Sequence, residues 1–486
     1  MTMNNNITSE RVFSIFKELN AIPRPSHHEE RIADYLCQFA KRLHLEYRRD
    51  AQNCVVIRKA ATPGYEGAEP IVLLNHMDMV CVGMNDPLNT PIDAYTKNGW
   101  MMAKGTSLGA DNGIGLSMAL AVLEDDRIIH GPIEVITTTN EEDGMSGASN
   151  LAKDFIKGRK VINLDSEDYD TITTGAAGAF LQEHRIPMKQ LPAPGGKHRW
   201  YRIMIEGGLG GHSGVDINKG RASAVVLTWA ILAAIYNEYD FEVASLKVGE
   251  ANASIASSAE IIVCVPSGEA SEFVKVQEEM MNEWIKEEYG TTDTGIHCTI
   301  TKCEAQSTVI NKEAFEALMT CLEQIPQGVV KMSETMQDTV ETSNNVGRIL
   351  MEEENILVTT HTRSFIDADM KALADEIKDV FAACGGTSTT VMEAPAWQEN
   401  QQSDFLKQTS DVFNDLLGWR PRLVAMHFVL EAGFFVQKFP GIKIACIGPR
   451  IVEPHSTSER VELKTVNDIW MVLQELLNRL ASYPLT

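Results

Sequence analysis

The chain has 486 residues, 44% hydrophobic and 23% charged, more than one hydrophobic core usually supports, so two domains are expected. A formal net charge of −24 excludes a phosphate-gripping nucleic-acid protein or a binder of anionic membranes, both of which need concentrated positive charge. Nine cysteines without a CxxC pair read as reduced core thiols, and the opening MTMNNNITSERVF lacks the basic and apolar segments of an export signal, so a cytoplasmic location is expected.

In chain order, Val12, Phe13, Ile15, Phe16 and Leu19 predict a first helix, ended by Ile22-Pro23-Arg24-Pro25. Ser26 and Glu29 read as a capping box for a second helix, with Ile32, Tyr35, Leu36, Phe39 and Leu43 on its apolar stripe. Strands are predicted at 54–58, 71–75, 133–139 and 161–164, with a helix from Asp111 to Leu123, an alternation that marks an α/β domain with buried strands. MKQLPAPGG between Pro187 and Gly196 predicts a domain boundary. Beyond it, an α+β insert includes the apolar run Ala224–Tyr236, the amphipathic helix Phe273–Trp284 and the strand Ile356–Thr360. The apolar run has 13 residues, short of the roughly 20 a bilayer requires, and is read as a buried helix. Helix Phe405–Leu417, strand Ile442–Ile447 and a final helix with Val466, Ile469, Trp470, Leu473, Leu476, Leu477 and Leu480 on one stripe return to the first domain's pattern. The expected division is 1–187, 188–391 and 392–486, with the last segment rejoining the first sheet.

Acidic residues and histidines stand where apolar strands stop, the place where open α/β sheets gather ligands. IVLLNHMDMV supplies His76 and Asp78, VITTTNEEDG supplies Glu141 and Glu142, VINLDSE supplies Asp165, and the strand IACIGP leads to His455. GTSLGADNGIG places Asp111 at a helix start, with glycines that let backbone approach closely. Singly, each has an ordinary explanation as a turn residue, a cap, a solvated charge or a structural histidine. Together, Asp78, Asp111, Glu141, Glu142 and Asp165 bring up to five negative charges to one cleft if the strand ends share an edge, an arrangement that calls for cations. Two histidines among carboxylates suit two divalent ions, Zn or less selectively Mn or Co, in a hydrolytic site.

HMDMV, GTSLGADNGIG, TTNEEDGMSGA, NLDSE, GGHSG and EPHSTSE resemble the di-metal metallopeptidases that include aminoacylases and glutamate-releasing carboxypeptidases. The resemblance is strongest to the aminoacyl-histidine (cytosolic non-specific, or beta-alanyl-histidine) dipeptidase branch and runs nearly end to end through AIPRPSHHEE, ETSNNVG, HTRSFID and LEAGFF. It implies an α/β zinc-peptidase-like catalytic domain, with a mixed sheet flanked by helices, and an inserted α+β lid and dimerisation domain. It also implies that Asp111 bridges the two metals, His76 and Asp165 hold one, Glu142 and His455 hold the other, Glu141 is the general base, and Asp78 orients His76. A cis bond between Asp111 and Asn112 is part of the implied pattern. In the lid, the resemblance makes His212 the group that polarises the scissile carbonyl, often across a dimer interface, and Arg363 the grip on the substrate's carboxylate. Asn252 and Gly433 fall in substrate-side segments, and Glu431 acquires no role. One departure is NASIASS at 252–258, where members of the branch carry an arginine- and proline-containing stretch. The expectation is a homodimeric cytoplasmic dipeptidase. An N-acyl amino acid deacylase using the same site and a catalytically silent metal-binding scaffold are the alternatives.

Overall fold

Strands rich in Val, Ile and Leu form the centre of the first sheet: Ile133–Thr138, Ile71–His76, Lys160–Asn163 and Lys443–Cys446 are successive neighbours, all parallel. Their near-continuous burial follows from having both faces covered. The hairpin Glu46–Arg49 and Val55–Lys59 continues the sheet antiparallel on one side, and Thr171–Ala176, Trp397–Gln398 and Arg422–Met426 continue it on the other, so it is mixed. These relations come from a computed structural model describing residues 8–334, 336 and 338–482, apart from the side chains of 271, 272 and 275. The stretch read as lacking an export signal begins in residues 1–7, outside the described residues.

The chain forms two compact units. Unit 1 runs to Gly175 and includes Trp397–Ala425 and Glu431 onward; unit 2 is Ala176–Ala396 with Met426–Leu430. The expected boundary at 187/188 is therefore twelve residues late. The Pro/Gly cluster follows the strand Gly178–Pro187 and opens a small ladder of Gln190–Pro192 with Thr308–Ile310, so it marks a turn inside unit 2. The expected boundary at 391/392 likewise falls inside a strand, Thr387–Ala394.

In unit 1 the sheet packs with helices Glu10–Asn20, Glu30–Arg42, Ala110–Glu124, Asp404–Leu417 and Leu463–Ser482 around one core that includes Phe16, Leu36, Leu73, Leu120, Phe413 and Trp470. Ala110–Glu124 is apolar on nearly every side, which fits a central helix buried from Asn112 to Leu123. The predicted capping box does not form: Glu29 sits at the N-cap of Glu30–Arg42 without a side-chain cap bond, and the Ser26 hydroxyl donates to Asp78 instead (2.8 Å). Glu29 accepts the N–H groups of His27 (3.0 Å) and Asn140 (2.9 Å). A separate small sheet contains Trp100–Ala103, Arg460–Glu462 and Ile451–Val452, and the loop between the last two carries His455.

Unit 2 is an antiparallel sheet ordered His297–Lys302, His198–Glu206, Ala259–Pro266, Glu242–Val248, Val340–Met351, Asn355–Ser364, Gly178–Pro187, Thr387–Ala394. It comprises two halves that each run β-α-β-β-α-β with the same strand order, one inserted in the other after Gly178–Pro187. They join where Glu242–Val248 meets Val340–Met351 over Lys247–Leu350 and Val248–Ile349. The apolar run forms the helix Ala224–Glu238 beneath one half. Each cysteine is a free thiol, and among the described residues no helix is long and apolar enough to cross a membrane.

Candidate active site

Parallel pairing places the chemistry-bearing strand ends at one edge. His76 is the last residue of its strand and lies in register with Thr138, three residues before Glu141; Asn163, two before Asp165, is in register with Leu74 and Cys446. Asp111 arrives from the start of the helix Ala110–Glu124, whose first turn contains a kink and a cis Asp111–Asn112 bond.

Asp111 occupies the centre. Its Oδ1 lies 3.0 Å from His76 Nε2 and its Oδ2 lies 3.1 Å from His455 Nε2. The same His76 nitrogen is 3.4 Å from Asp165 Oδ1, and the same His455 nitrogen is 3.0 Å from Glu142 Oε2. Two nitrogen-and-carboxylate sets, His76 with Asp165 and His455 with Glu142, thus share Asp111. Among the described residues, His76, Asp111 and Glu142 present ligand atoms that all lie within 4.8 Å of one another. Glu142 Oε1 is buried and, among the described residues, has no hydrogen-bond partner, and Asp165 Oδ1 has only the 3.4 Å approach of His76. Such a donor set, with oxygens left over, fits divalent cations.

Burial pushes the Glu141 carboxyl well above the usual range; Asp165, Glu431 and Glu142 add to this, and His76 opposes it. Burial likewise raises Asp165 to about 7, against His76. Hydrogen bonds donated to the Asp111 and Glu142 carboxylates lift His455 to about 11. Burial would lower His76, but Asp165, Asp111 and Asp78 together hold it well above its ordinary value. Asp78 is fully buried, lies 3.4 Å from His76 Nδ1, and accepts the N–H groups of Glu141 (3.1 Å) and Glu142 (3.2 Å). One carboxylate therefore lies beside the His76 ring and accepts both N–H groups of the turn that presents two glutamates.

The sequence matches peptidase family M20/M25/M40 over residues 72–479. The chain belongs to this peptidase family. It is 31% identical over 481 residues to the cytosol non-specific dipeptidase of Escherichia coli K12, covering 98% of each chain. The aminoacylhistidine dipeptidase of Vibrio alginolyticus has a similar structure, with a TM-score of 0.87, 31% identity and 99% of each chain covered. A Staphylococcus aureus tripeptidase shares the fold, with a TM-score of 0.62, 16% identity, and 98% of this chain and 100% of that one covered. Membership makes the chain a hydrolase of peptide bonds, and M20 peptidases use divalent metal ions.

The remaining expected residues of this M20 peptidase divide between the units. In unit 2, His212 Nδ1 accepts the N–H groups of Gly214 and Val215 (3.0 Å each), so the neutral ring carries its proton on Nε2. Burial and Arg363 lower its pKa to about 4, keeping it neutral at neutral pH. Arg363 is buried; its Nη2 donates to Ser213 Oγ (3.3 Å) and lies 3.4 Å from His361 Nδ1. Asn252 sits in the stretch running beside His212, where Ser254 bridges His212 and Ala253 accepts the Ser213 N–H (3.0 Å). In unit 1, Gly433 is buried in the first turn of Glu431–Lys438. Glu431 accepts the Thr138 hydroxyl (2.8 Å), and burial raises its carboxyl to about 8.

Sequence reasoning missed Arg24, Glu459, Glu167, His361 and His427. Glu167, two residues after Asp165 in NLDSE, is raised to about 8 by burial and by Asp111 and Asp165. His361 shares HTR with Arg363, a signal that was available; His427 carried none, because only folding brings it to Ser343, whose Oγ is 2.8 Å from His427 Nε2.

Proposed function

We propose that this chain is a metal-dependent dipeptidase whose hydrolytic centre is built on Asp111. The carrying observation is that the two Asp111 oxygens divide between His76 and His455, each of which also faces a further carboxylate. Asp111 would bridge two ions, His76 and Asp165 completing one set and His455 and Glu142 the other; zinc suits these donors best, with Mn or Co as alternatives. When bound, divalent ions acidify water and polarise a carbonyl.

Glu141 takes the proton of the attacking water and returns it to the leaving amine, a task favoured by its raised pKa. Asp78 keeps His76 oriented. His212, with Nε2–H as a donor, stabilises the charge growing on the carbonyl oxygen, and Arg363 takes the free carboxylate that distinguishes a dipeptide from an internal peptide bond. Asn252 and Gly433 are assigned to the substrate side. Unit 1 is the catalytic domain and unit 2 the lid in this reading. The name of the Escherichia coli relative supports both the dipeptide substrate and a cytoplasmic location. A homodimer is proposed; the repeated halves of unit 2 favour a single chain carrying a doubled lid as the second reading, and light scattering decides between them.

The central test is Glu141→Gln. Metal analysis is expected to give two ions per chain in wild type and variant, while kcat on Ala-His or Gly-Gly falls by at least about 100-fold. Near-normal turnover would overturn the assignment of Glu141. Faster cleavage of N-acetyl-Ala than of either dipeptide would instead identify a deacylase, and no turnover of any of them by the metal-loaded wild type would identify a silent scaffold.

A further inference from the structure

The backbone segment that delivers Asp111 is held by two buried charges, neither counted above among the ligands. Through Oε2, Glu459 accepts the N–H groups of Leu108 (2.7 Å) and Gly109 (3.0 Å); through Oε1 it accepts those of Ala110 (2.7 Å) and Asp111 (3.4 Å). From another direction, Arg24 Nη2 donates to the Gly109 carbonyl (2.7 Å), while Nη1 donates to the carbonyls of Met77 and Asp78 (3.0 Å each). Arg24 is 1% exposed and Glu459 is 3% exposed.

Each charge ties the Asp111 segment to a segment carrying a histidine. Met77 and Asp78 immediately follow His76, so Arg24 connects the end of that strand to Gly109. Glu459 closes the loop after His455, its own N–H donating to the Ser456 carbonyl (3.2 Å), while its carboxylate grips residues 108–111. Burying an ion costs several kcal/mol, so two of them demand a return that neutral packing would not give. The return is geometric: only a planar guanidinium reaches these carbonyls together, and only a carboxylate accepts so many N–H groups at once. Room is left for it, since a Cβ at Gly109 or at Gly113 would come within 2.6 Å of Arg24 Nη2.

We propose that Arg24 and Glu459 are positioning residues, a pair of buried opposite charges that holds the Asp111 backbone between His76 and His455 and so sets how tightly the centre retains its metal ions. The proposal rests on the reading of those residues as ligands.

The test uses full-length, Zn(II)-loaded protein challenged with increasing chromophoric chelator, with Co(II)-loaded samples for visible absorption. Glu459→Gln and Arg24→Lys are each expected to weaken metal retention about 10- to 100-fold and to alter the Co(II) bands. Glu134→Gln is the matched control: Glu134 is buried and accepts the N–H groups of Lys157 (2.6 Å) and Gly158 (2.8 Å), but it lies near the opposite end of its strand. It is expected to lower stability and leave metal retention unchanged. Wild-type retention in both Glu459→Gln and Arg24→Lys overturns the proposal, as does equal loosening in Glu134→Gln. Should Glu459→Gln not fold, Arg24→Lys decides, because it keeps the charge and loses the fork. Asp111→Asn separates the two layers: wild-type retention there sinks the metal reading itself, whereas loosening there with tight binding in the positioning variants sinks only this proposal.

Discussion

Arg363 is a buried guanidinium with no carboxylate paired to it among the described residues; its Nε has no partner, and burial alone lowers its pKa to about 10. It remains charged at neutral pH, and an incoming carboxylate would relieve that isolation. Arg363→Met is therefore expected to raise KM about 10- to 100-fold for dipeptides with a free carboxylate, the range of a charge-assisted hydrogen bond, while amidated dipeptides change little. Steady-state kinetics on matched pairs checks this, and equal losses on both would remove Arg363 from substrate recognition. At this scale the sequence was most informative where short motifs abut strands. His76, Asp78, Glu141, Glu142 and Asp165 were legible as one cluster because each apolar strand carries its own acidic or histidine residues at or just beyond its end. Arg24 and Glu459 were not, since their task is set by the backbone of residues 77–78 and 108–111, and carbonyls and N–H groups leave no trace in residue identity.

The start of the helix Ala110–Glu124 shows why an element's glycines were legible as a feature but not as a reason. GADNGIG suggested close backbone approach, and the structure identifies what approaches: the Arg24 guanidinium. Gly109 has φ +66°, and a Cβ there would meet Arg24 Nη2 at 2.6 Å and Met79 Sδ at 2.7 Å. Gly64 also has positive φ, +93°, with nothing within 4 Å of a Cβ. Gly109→Ala is accordingly expected to cost about 2 kcal/mol or more beyond Gly64→Ala, which pays only the backbone strain. Unfolding temperatures of the two variants check this, and similar shifts would show that the guanidinium yields without cost. The failed capping box belongs here too. Ser26 and Glu29 have the right spacing, but the loop before the helix is drawn to the sheet edge, where Ser26 meets Asp78 and Glu29 meets Asn140, and those tertiary partners outcompete a local cap.

Over the whole molecule, alternation of helices and strands was enough to read an α/β unit and an α+β unit, but not the nesting of unit 2. Gly178–Pro187 pairs with Asn355–Ser364 across an inserted half, and no local pattern encodes a partner so distant. That long-range pairing also buries His184, which the sequence shows only as one more strand residue. Its Nδ1 lies 2.7 Å from Ser388 Oγ and its Nε2 2.9 Å from Thr360 Oγ1, and the ring stacks on Phe381 at 4.1 Å. Burial, with the nearby Lys378 charge, lowers its pKa to about 3. In the unfolded chain an ordinary histidine titrates near 6.5, so between about 6.5 and 3 the unfolded state takes up a proton that the folded state refuses. His184 thus contributes its full stability above that window, and the contribution falls as pH drops through it. From pH 7 to pH 5 the loss attributable to this residue is about 2 kcal/mol. Calorimetry of wild type and His184→Gln at both pH values isolates it, because every other titrating group is common to the pair. The wild type is expected to lose more stability on acidification than the variant. Equal losses would mean that the folded imidazole takes up its proton over the same pH range as the unfolded one, with Ser388 and Thr360 then acting as acceptors.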